Sequence, residues 1–446
     1  MWMDADMVAC PEFVEAQARW PHTHAECVAL GRIRFSDTRP EGPEALLAAL
    51  RTGDPRGLPT EDRCHDWVEH LLERSDRLRG ADHLGFHAHV GAAAAVRRSL
   101  YEAAGGVDPD LDLGQDTEFG YRLWQAGAVM VPEPTATAWH LGPASTVRTH
   151  LPSERFRTEV LAELMPHPHA YRERVPAQRR RVPLVHAVID VAGAPYNLVR
   201  GCVDRLLGGT EKDLALTLVA DWEGVRDKPT EYEGLDLRLV QANYLRDPRI
   251  SFASAAPRTG FPAPFLLQLP VAWGLGELAL SRLLAAAERS GSGLTELFQV
   301  ESPTRDAGVR LWRTRALARA MRVCDKDEDL ADVVAGLHGR YRIHGGEGTL
   351  TDLTLRRSVP PAPRPIPEVE RCEDTERVTR EVEESRETGK GREVEEDAPP
   401  RKTLLARARS LWSRVRRARG GGVREDFGGF PGGRDGEGPR GPTAAG

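Results

Sequence analysis

Residues 105–127 read GGVDPDLDLGQDTEFGYRLWQAG, and the reading of this stretch decides the fold. The pair Gly105-Gly106 is a stop signal for the helical pattern Arg98–Ala104 before it. Carboxylates then crowd a short loop, and a second helical pattern runs from Thr117 to Ala126 and ends at Gly127. Asp116 stands at the start of that helix. A carboxylate there is suited to cap the helix or to take a proton from an attacking hydroxyl as a general base. The two roles are compatible. Asp108, Asp110, Asp112, Gly114 and Asp116 also suggest a calcium loop, but Leu113 stands where such a loop needs glycine and Phe119 where it needs glutamate.

Two further elements flank this stretch. Upstream, Asp4-Ala5-Asp6 sits between apolar residues and Met7-Val8, so it falls at the end of a strand. Two carboxylates two residues apart bind a hard divalent cation, which in turn neutralises phosphate oxygens. Downstream, Trp139-His140 ends a short apolar run, and a neutral imidazole there would complete a metal site. His83, His87 and His89 have no carboxylate or cysteine at ligand spacing and read as surface or packing residues.

The order DADMV, then VGAAAAVRRSLYEAAGGVDPDL, then GQDTEFGYRLWQAG, then TATAWHLG resembles the family 2 glycosyltransferases of the GT-A fold over residues 1 to about 142. The resemblance implies that Asp4 and Asp6 hold Mn2+ or Mg2+ and the nucleotide-sugar, with His140 as a third metal ligand. It implies Asp116 as the base of an inverting transfer, with Glu118 as the lesser candidate. Gly105, Gly106, Asp108, Glu118, Arg122 and Trp124 are then expected to bind substrate, Arg122 and Trp124 by shaping the acceptor groove. Gln115 and Val107 depart from the family pattern, which often has an acid and a phenylalanine there. GT-A enzymes place the nucleotide base on βαβ units ahead of the aspartate pair. Residues 1–150 are therefore expected to be the C-terminal half of such a domain, truncated at its N-terminus and poor at holding a donor alone.

The rest of the chain is read in the same way. A helical and basic connector is expected over 151–182, and a second α/β pattern over 183–357. That second region looks like a degenerate repeat of the same fold. PLVHAVIDV resembles the first strand of a family 2 enzyme, and Asp221 stands near where that family contacts the nucleotide; an unrelated α/β domain is the equal alternative. Leu267-Gln268-Leu269-Pro270 offers no carboxylate where the aspartate pair should follow. Residues 358–446 turn Pro-rich, acidic and then Gly-rich, which predicts a disordered tail. Within it Lys402 to Arg419 patterns as a basic amphipathic helix suited to an anionic membrane surface.

Composition bounds the function. The 446 residues carry a formal net charge of -6, and no basic patch is interleaved with aromatics, so nucleic acid is not an expected partner. Six scattered cysteines, at 10, 27, 64, 202, 324 and 372, form no CxxC pair. No apolar run approaches the roughly 18 residues of a membrane span. A cytoplasmic protein is expected, peripheral at the inner face of the plasma membrane. Its expected activity is metal-dependent transfer from a nucleotide-sugar to a sugar, lipid-linked or polysaccharide acceptor in envelope polysaccharide or glycolipid synthesis. The alternative is a truncated, non-catalytic scaffold or partner subunit.

Overall fold

The computed structural model describes residues 1–36, 42–51, 64–80, 82–141, 150–166, 180–226, 234–298, 308–346 and 348–354. They form an α/β structure with two main sheets and a two-stranded ribbon. The tail and its expected helix at 402–419 lie outside the described residues.

The first sheet has five strands: β1 (Trp2–Met3), β2 (Met7–Ala9), β3 (Cys27–Ser36), β4 (Ala93–Val96) and β5 (Val129–Leu141), in the order β1-β4-β3-β5-β2. Only β3 and β5 run parallel. Helix α1 (Phe13–Thr23) covers one face by burying Phe13, Ala16 and Gln17, the i, i+3, i+4 stripe of an amphipathic helix. It lies close to the sheet because the strands beneath it carry Ala92, Ala93, Ala136 and Ala138. At Gly31 a Cβ would meet Gln17 Nε2 at 2.5 Å and Ala136 O at 2.7 Å, so the approach needs glycine. The opposite face is covered by α3 (Asp66–Arg74), a 3-10 turn (Asp82–Ala88), α4 (Arg98–Ala103) and α5 (Gln115–Gln125), whose Phe86, Leu100, Phe119 and Leu123 are buried in one cluster. Helix α2 (Pro43–Arg51) has the expected bounds.

Ala128–Val131 and Thr135–Trp139 read in sequence as two short strands, but β5 is a single strand with an irregularity. Gly31 pairs with Glu133, and Arg32 pairs with Thr137. Pro132 and Pro134 have no N–H to give to a ladder, so the chain loops out there. The buried Glu133 holds the loop by accepting bonds from Thr135 N (3.1 Å) and Trp20 Nε1 (3.0 Å).

Helix α6 (His150–Leu164) leads, past residues 167–179 that lie outside the described set, to the second sheet. Its strands are β6 (Val185–Asp190), β7 (Leu214–Val219), β8 (Ile250–Ala253), β9 (Phe265–Gln268), β11 (Leu294–Phe298), β12 (Val309–Arg313) and β13 (Arg340–His344), in the order β13-β11-β12-β9-β6-β7-β8. The ribbon pairs β10 (Trp273–Leu275) with β14 (Leu350–Asp352). The near-continuous apolar runs of β6 and β7 fit parallel strands buried on both faces. The helices of this half are α7 (Tyr196–Gly208), α8 (Trp222–Arg226), α9 (Leu235–Tyr244), α10 (Ala279–Ser290), α11 (Thr314–Val323) and α12 (Leu330–His338). Burial in its core pushes the Cys202 thiol up to about 12.

The second sheet repeats four of the five strands of the first. The run β9-β12-β11-β13 repeats β1-β4-β3-β5 with the same senses: antiparallel, antiparallel, parallel. Local details repeat as well. Met7 N–H donates to Asp4 O, and Trp273 N–H donates to Pro270 O. Phe13 N–H, opening α1, donates to Cys10 O, and Ala279 N–H, opening α10, donates to Gly276 O. Arg97 and Arg313 occupy the same place before α4 and α11. In this correspondence Asp4 falls on Pro270 and Asp6 on Ala272. Asp116, second in α5, falls on Ala331, second in α12. The halves differ in two ways. Beside β9 stand β6, β7 and β8, where β1 is an edge strand. Between β3 and β4 lie residues 37–92, against 299–308 between β11 and β12.

Candidate active site

The aspartate pair lies where the sequence places it, in the turn between β1 and β2. Asp6 O accepts from Leu141 N–H at 2.9 Å, and Met7 is in register with His140 on β5. This pairing brings the half-exposed Asp6 carboxylate to 3.4 Å from His140 Nε2. Burial raises the Asp4 carboxyl above its ordinary range, and the Asp116 and Asp6 carboxylates push it further up. The turn is thus a concentration of negative charge with oxygen donors and one imidazole.

Asp116 belongs to the first turn of α5, but it is not the helix cap. That position is Gly114, and no side chain accepts the cap bond. The carboxylate rests against the backbone of Gly91, where a Cβ would stand 2.0 Å from Oδ1. His89 Nδ1 donates to Asp116 O at 2.7 Å and is buried, as a packing residue should be. Burial lowers the His89 pKa, which favours the uncharged ring. Two residues that the sequence did not single out join the site. The ring of Phe35 lies 5.1 Å from that of His65 and 5.2 Å from that of His140. Burial also pushes the His65 pKa down, and His140 adds to the effect. Neither residue carries a spacing signal, because only the closed sheet and α3 bring them to the aspartates.

The expected acceptor residues on α5 are placed differently. Glu118 is buried and paired with Arg122, whose Nη2 donates to Glu118 Oε2 at 2.7 Å and whose Nη1 donates to Ala104 O. A buried carboxylate tied to a guanidinium is not free to act as a base. Trp124 is only 5% exposed and lies beneath Arg315 of α11, whose guanidinium is 5.2 Å from the ring centroid. Arg122 thus holds α5 in place, while Trp124 lines a cavity together with Gln125, Glu288, Arg315 and His338. Gly105 and Gly106 close the turn after α4, with the Tyr101 ring against Gly106. Asp108 pairs with Arg181 at 3.2 Å. In the second half, Arg313–Ala316, whose sequence vaguely echoes this segment, leads into α11, and Asp329 caps α12 by accepting from Ala331 N at 2.7 Å.

Among the described residues no three His, Cys, Asp or Glu side chains form a ready-made metal cluster. The donor set still fits a hard divalent cation. Asp6 and His140 are already adjacent, and Asp4 lies within their field, raised first by burial and then by two like charges that a cation would offset.

No family model matches the chain. It is 28% identical over 268 residues to the chondroitin synthase of Escherichia coli, covering 56% of this chain and 37% of that protein. It is 23% identical over 269 residues to the hyaluronan synthase of Pasteurella multocida, covering 56% of this chain and 26% of that protein. The chain thus spans well under half the length of the curated relatives it matches. Among solved structures, it is similar to S. aureus TarS residues 1–349 with a TM-score of 0.26 and 11% identity, over 37% of this chain and 59% of that one. It is also similar to 4-diphosphocytidyl-2C-methyl-D-erythritol synthase with a TM-score of 0.25 and 18% identity, over 37% and 91%. Over a little more than half its length, the chain is thus similar to these two glycosyltransferases, and its α/β fold is of the GT-A type.

Proposed function

We propose that the chain transfers a sugar from a nucleotide-sugar to an acceptor hydroxyl, with inversion and with the help of Mn2+ or Mg2+. The observation that carries this reading is the convergence of Asp4, Asp6, His140 and Asp116 on one side of the first sheet, although they lie far apart in sequence. Asp116 accepts the proton of the acceptor hydroxyl. That oxygen forms a bond to the anomeric carbon, and the bond from this carbon to the diphosphate oxygen breaks, its electron pair leaving with the phosphate. A base on the face opposite the leaving group gives inversion. Asp4, Asp6 and His140 would hold the divalent cation, which neutralises charge on the leaving diphosphate when bound. Gly91 and His89 fix the helix turn that presents the base.

The related synthases are named for polysaccharides, which supports a polysaccharide acceptor in envelope assembly. The seven-stranded half is a non-catalytic copy, since Pro270, Ala272 and Ala331 replace the three carboxylates. Among the described residues no helix is long and apolar enough to cross a membrane. Contact with an anionic membrane surface is assigned to 402–419, and flotation with anionic but not neutral vesicles is the expected result. The central test is calorimetric titration of the chain with UDP-, GDP- and dTDP-sugars plus manganese. Saturable binding that disappears in Asp6→Ala supports the reading. Absence of binding to all three favours the non-catalytic alternative, a scaffold or partner subunit.

A further inference from the structure

The connection between β3 and β4 is where the two halves of the chain diverge most, and a cavity accompanies the extra sequence. A space of about 310 Å³ opens between α3 and the irregular stretch of the first sheet, Gly31–Ile33 with Pro132–Pro134. This is at the lower end of the range for small-molecule sites. Val68 and Leu72 give it apolar wall, Glu69 and Glu73 give it carboxylates, and His65 stands at its edge. Ala88 and Val90 form another wall. Their chain neighbours His89 and Gly91 are the residues that touch Asp116. A single strip of backbone therefore separates the cavity from the base.

A second observation points to the same place. Asp76, Arg77 and Leu78 have φ of 47°, 56° and 68°, three successive non-glycine residues in the left-handed region. Side chains other than glycine rarely adopt this conformation, and it persists only where the surroundings over-determine it. Here Leu78 is buried in the core and its N–H donates to Ser75 Oγ at 3.0 Å, while Arg77 N–H donates to Leu72 O at 2.8 Å. The result of this turn is that Arg77 lines the cavity, with no ion pair among the described residues.

The chemistry of the lining selects a ligand class. Arg32 is tied to Glu69 at 3.0 Å and the buried Glu133 to Arg19 at 3.3 Å, which leaves Arg77 and Glu73. The charges of the lining balance and so favour no ionic ligand, whereas a carboxylate and a guanidinium set among apolar side chains suit the hydroxyls and C–H faces of a neutral sugar. Trp67, half-exposed and 5.8 Å from the His65 ring, offers a stacking face outside the cavity. We propose that this cavity binds an uncharged sugar ring of the acceptor, with Arg77 and Glu73 as its hydrogen-bonding residues. The proposal rests on the sugar-transfer reading given above.

The test titrates the full chain with chitotetraose, cellotetraose and tetragalacturonate, beside Leu72→Trp, which fills the cavity, and Arg77→Ala, which spares its shape. At least one neutral tetrasaccharide is expected to bind saturably, with at least a tenfold weaker affinity in both variants and weaker binding of the acidic one. Manganese-dependent nucleotide-sugar binding is expected to be unchanged in both. Failure of both neutral probes to bind, equal affinity in Arg77→Ala, or preference for tetragalacturonate overturns the proposal. Neutral-sugar binding that is lost in both variants, in a chain that binds no nucleotide-sugar, leaves the cavity assigned and removes the transfer reading instead.

Discussion

Asp116 is held from two sides, by its own helix and by the backbone of Gly91. Replacing the carboxylate by an amide removes the proton acceptor and little else, so Asp116→Asn should lower kcat by about 10²- to 10⁴-fold with donor affinity intact. Steady-state kinetics with calorimetry of the donor complex checks both halves of that expectation. Gly91→Ala should give a smaller kcat loss of the same type, because its methyl group displaces the carboxylate without removing it. A different prediction concerns buried imidazoles. Burial lowers the pKa of His89 and of His186, whose Nε2 lies 2.8 Å from Thr217 Oγ1. A depressed folded-state pKa contributes stability that is complete above the unfolded value of about 6.5 and is lost as pH falls below it. Melting temperature should therefore drop between pH 7.5 and 5.5, and drop less in His186→Gln. At this scale the sequence was informative where chemistry has a spacing. Asp4, Asp6 and His140 were readable, and the structure brings Asp6 and His140 together. It was uninformative for the contact of Trp124 with Arg315, which joins residues almost two hundred positions apart.

Among the elements, periodicity found most helices and strands to within a few residues. It failed at β5, where the Pro-Glu-Pro sequence reads as a break although pairing with β3 resumes beyond it. Helix ends carry the more useful lesson. The C-terminal end of α5 leaves carbonyls that α11 reaches: Arg322 Nη2 donates to Ala126 O at 3.0 Å, while Arg315 lies over Trp124. Cations are favourable at a helix C-terminus, and a desolvated cation–π contact is worth about 2 kcal/mol. Arg315→Ala should therefore destabilise the chain by about 2–3 kcal/mol, read as a lower urea midpoint at unchanged slope. Arg315→Lys should recover only part of that, since an ammonium does not stack as a guanidinium does.

For the whole molecule, the two sheets lie in one compact unit, so a ligand bound to either half stabilises the unfolding unit they share. Manganese at about 100 times its dissociation constant should add about 2.7 kcal/mol. The melting temperature should rise by a few degrees in the native chain and not at all in Asp4→Asn/Asp6→Asn. A fold class was legible at this scale because both halves alternate strands and helices. The correspondence between them was only faint, because a repeated strand order leaves little trace once the side chains have changed.

That correspondence makes the chain its own control. Asp4 and Pro270, Asp6 and Ala272, Asp116 and Ala331 are the same backbone places occupied twice, once with the proposed reactive groups and once without. In a saturation mutagenesis screen, a substitution rejected at both members of a pair reports on what the backbone tolerates. One rejected only at the first reports on chemistry. Each pair thus separates, within a single gene, the constraint of folding from the constraint of reaction.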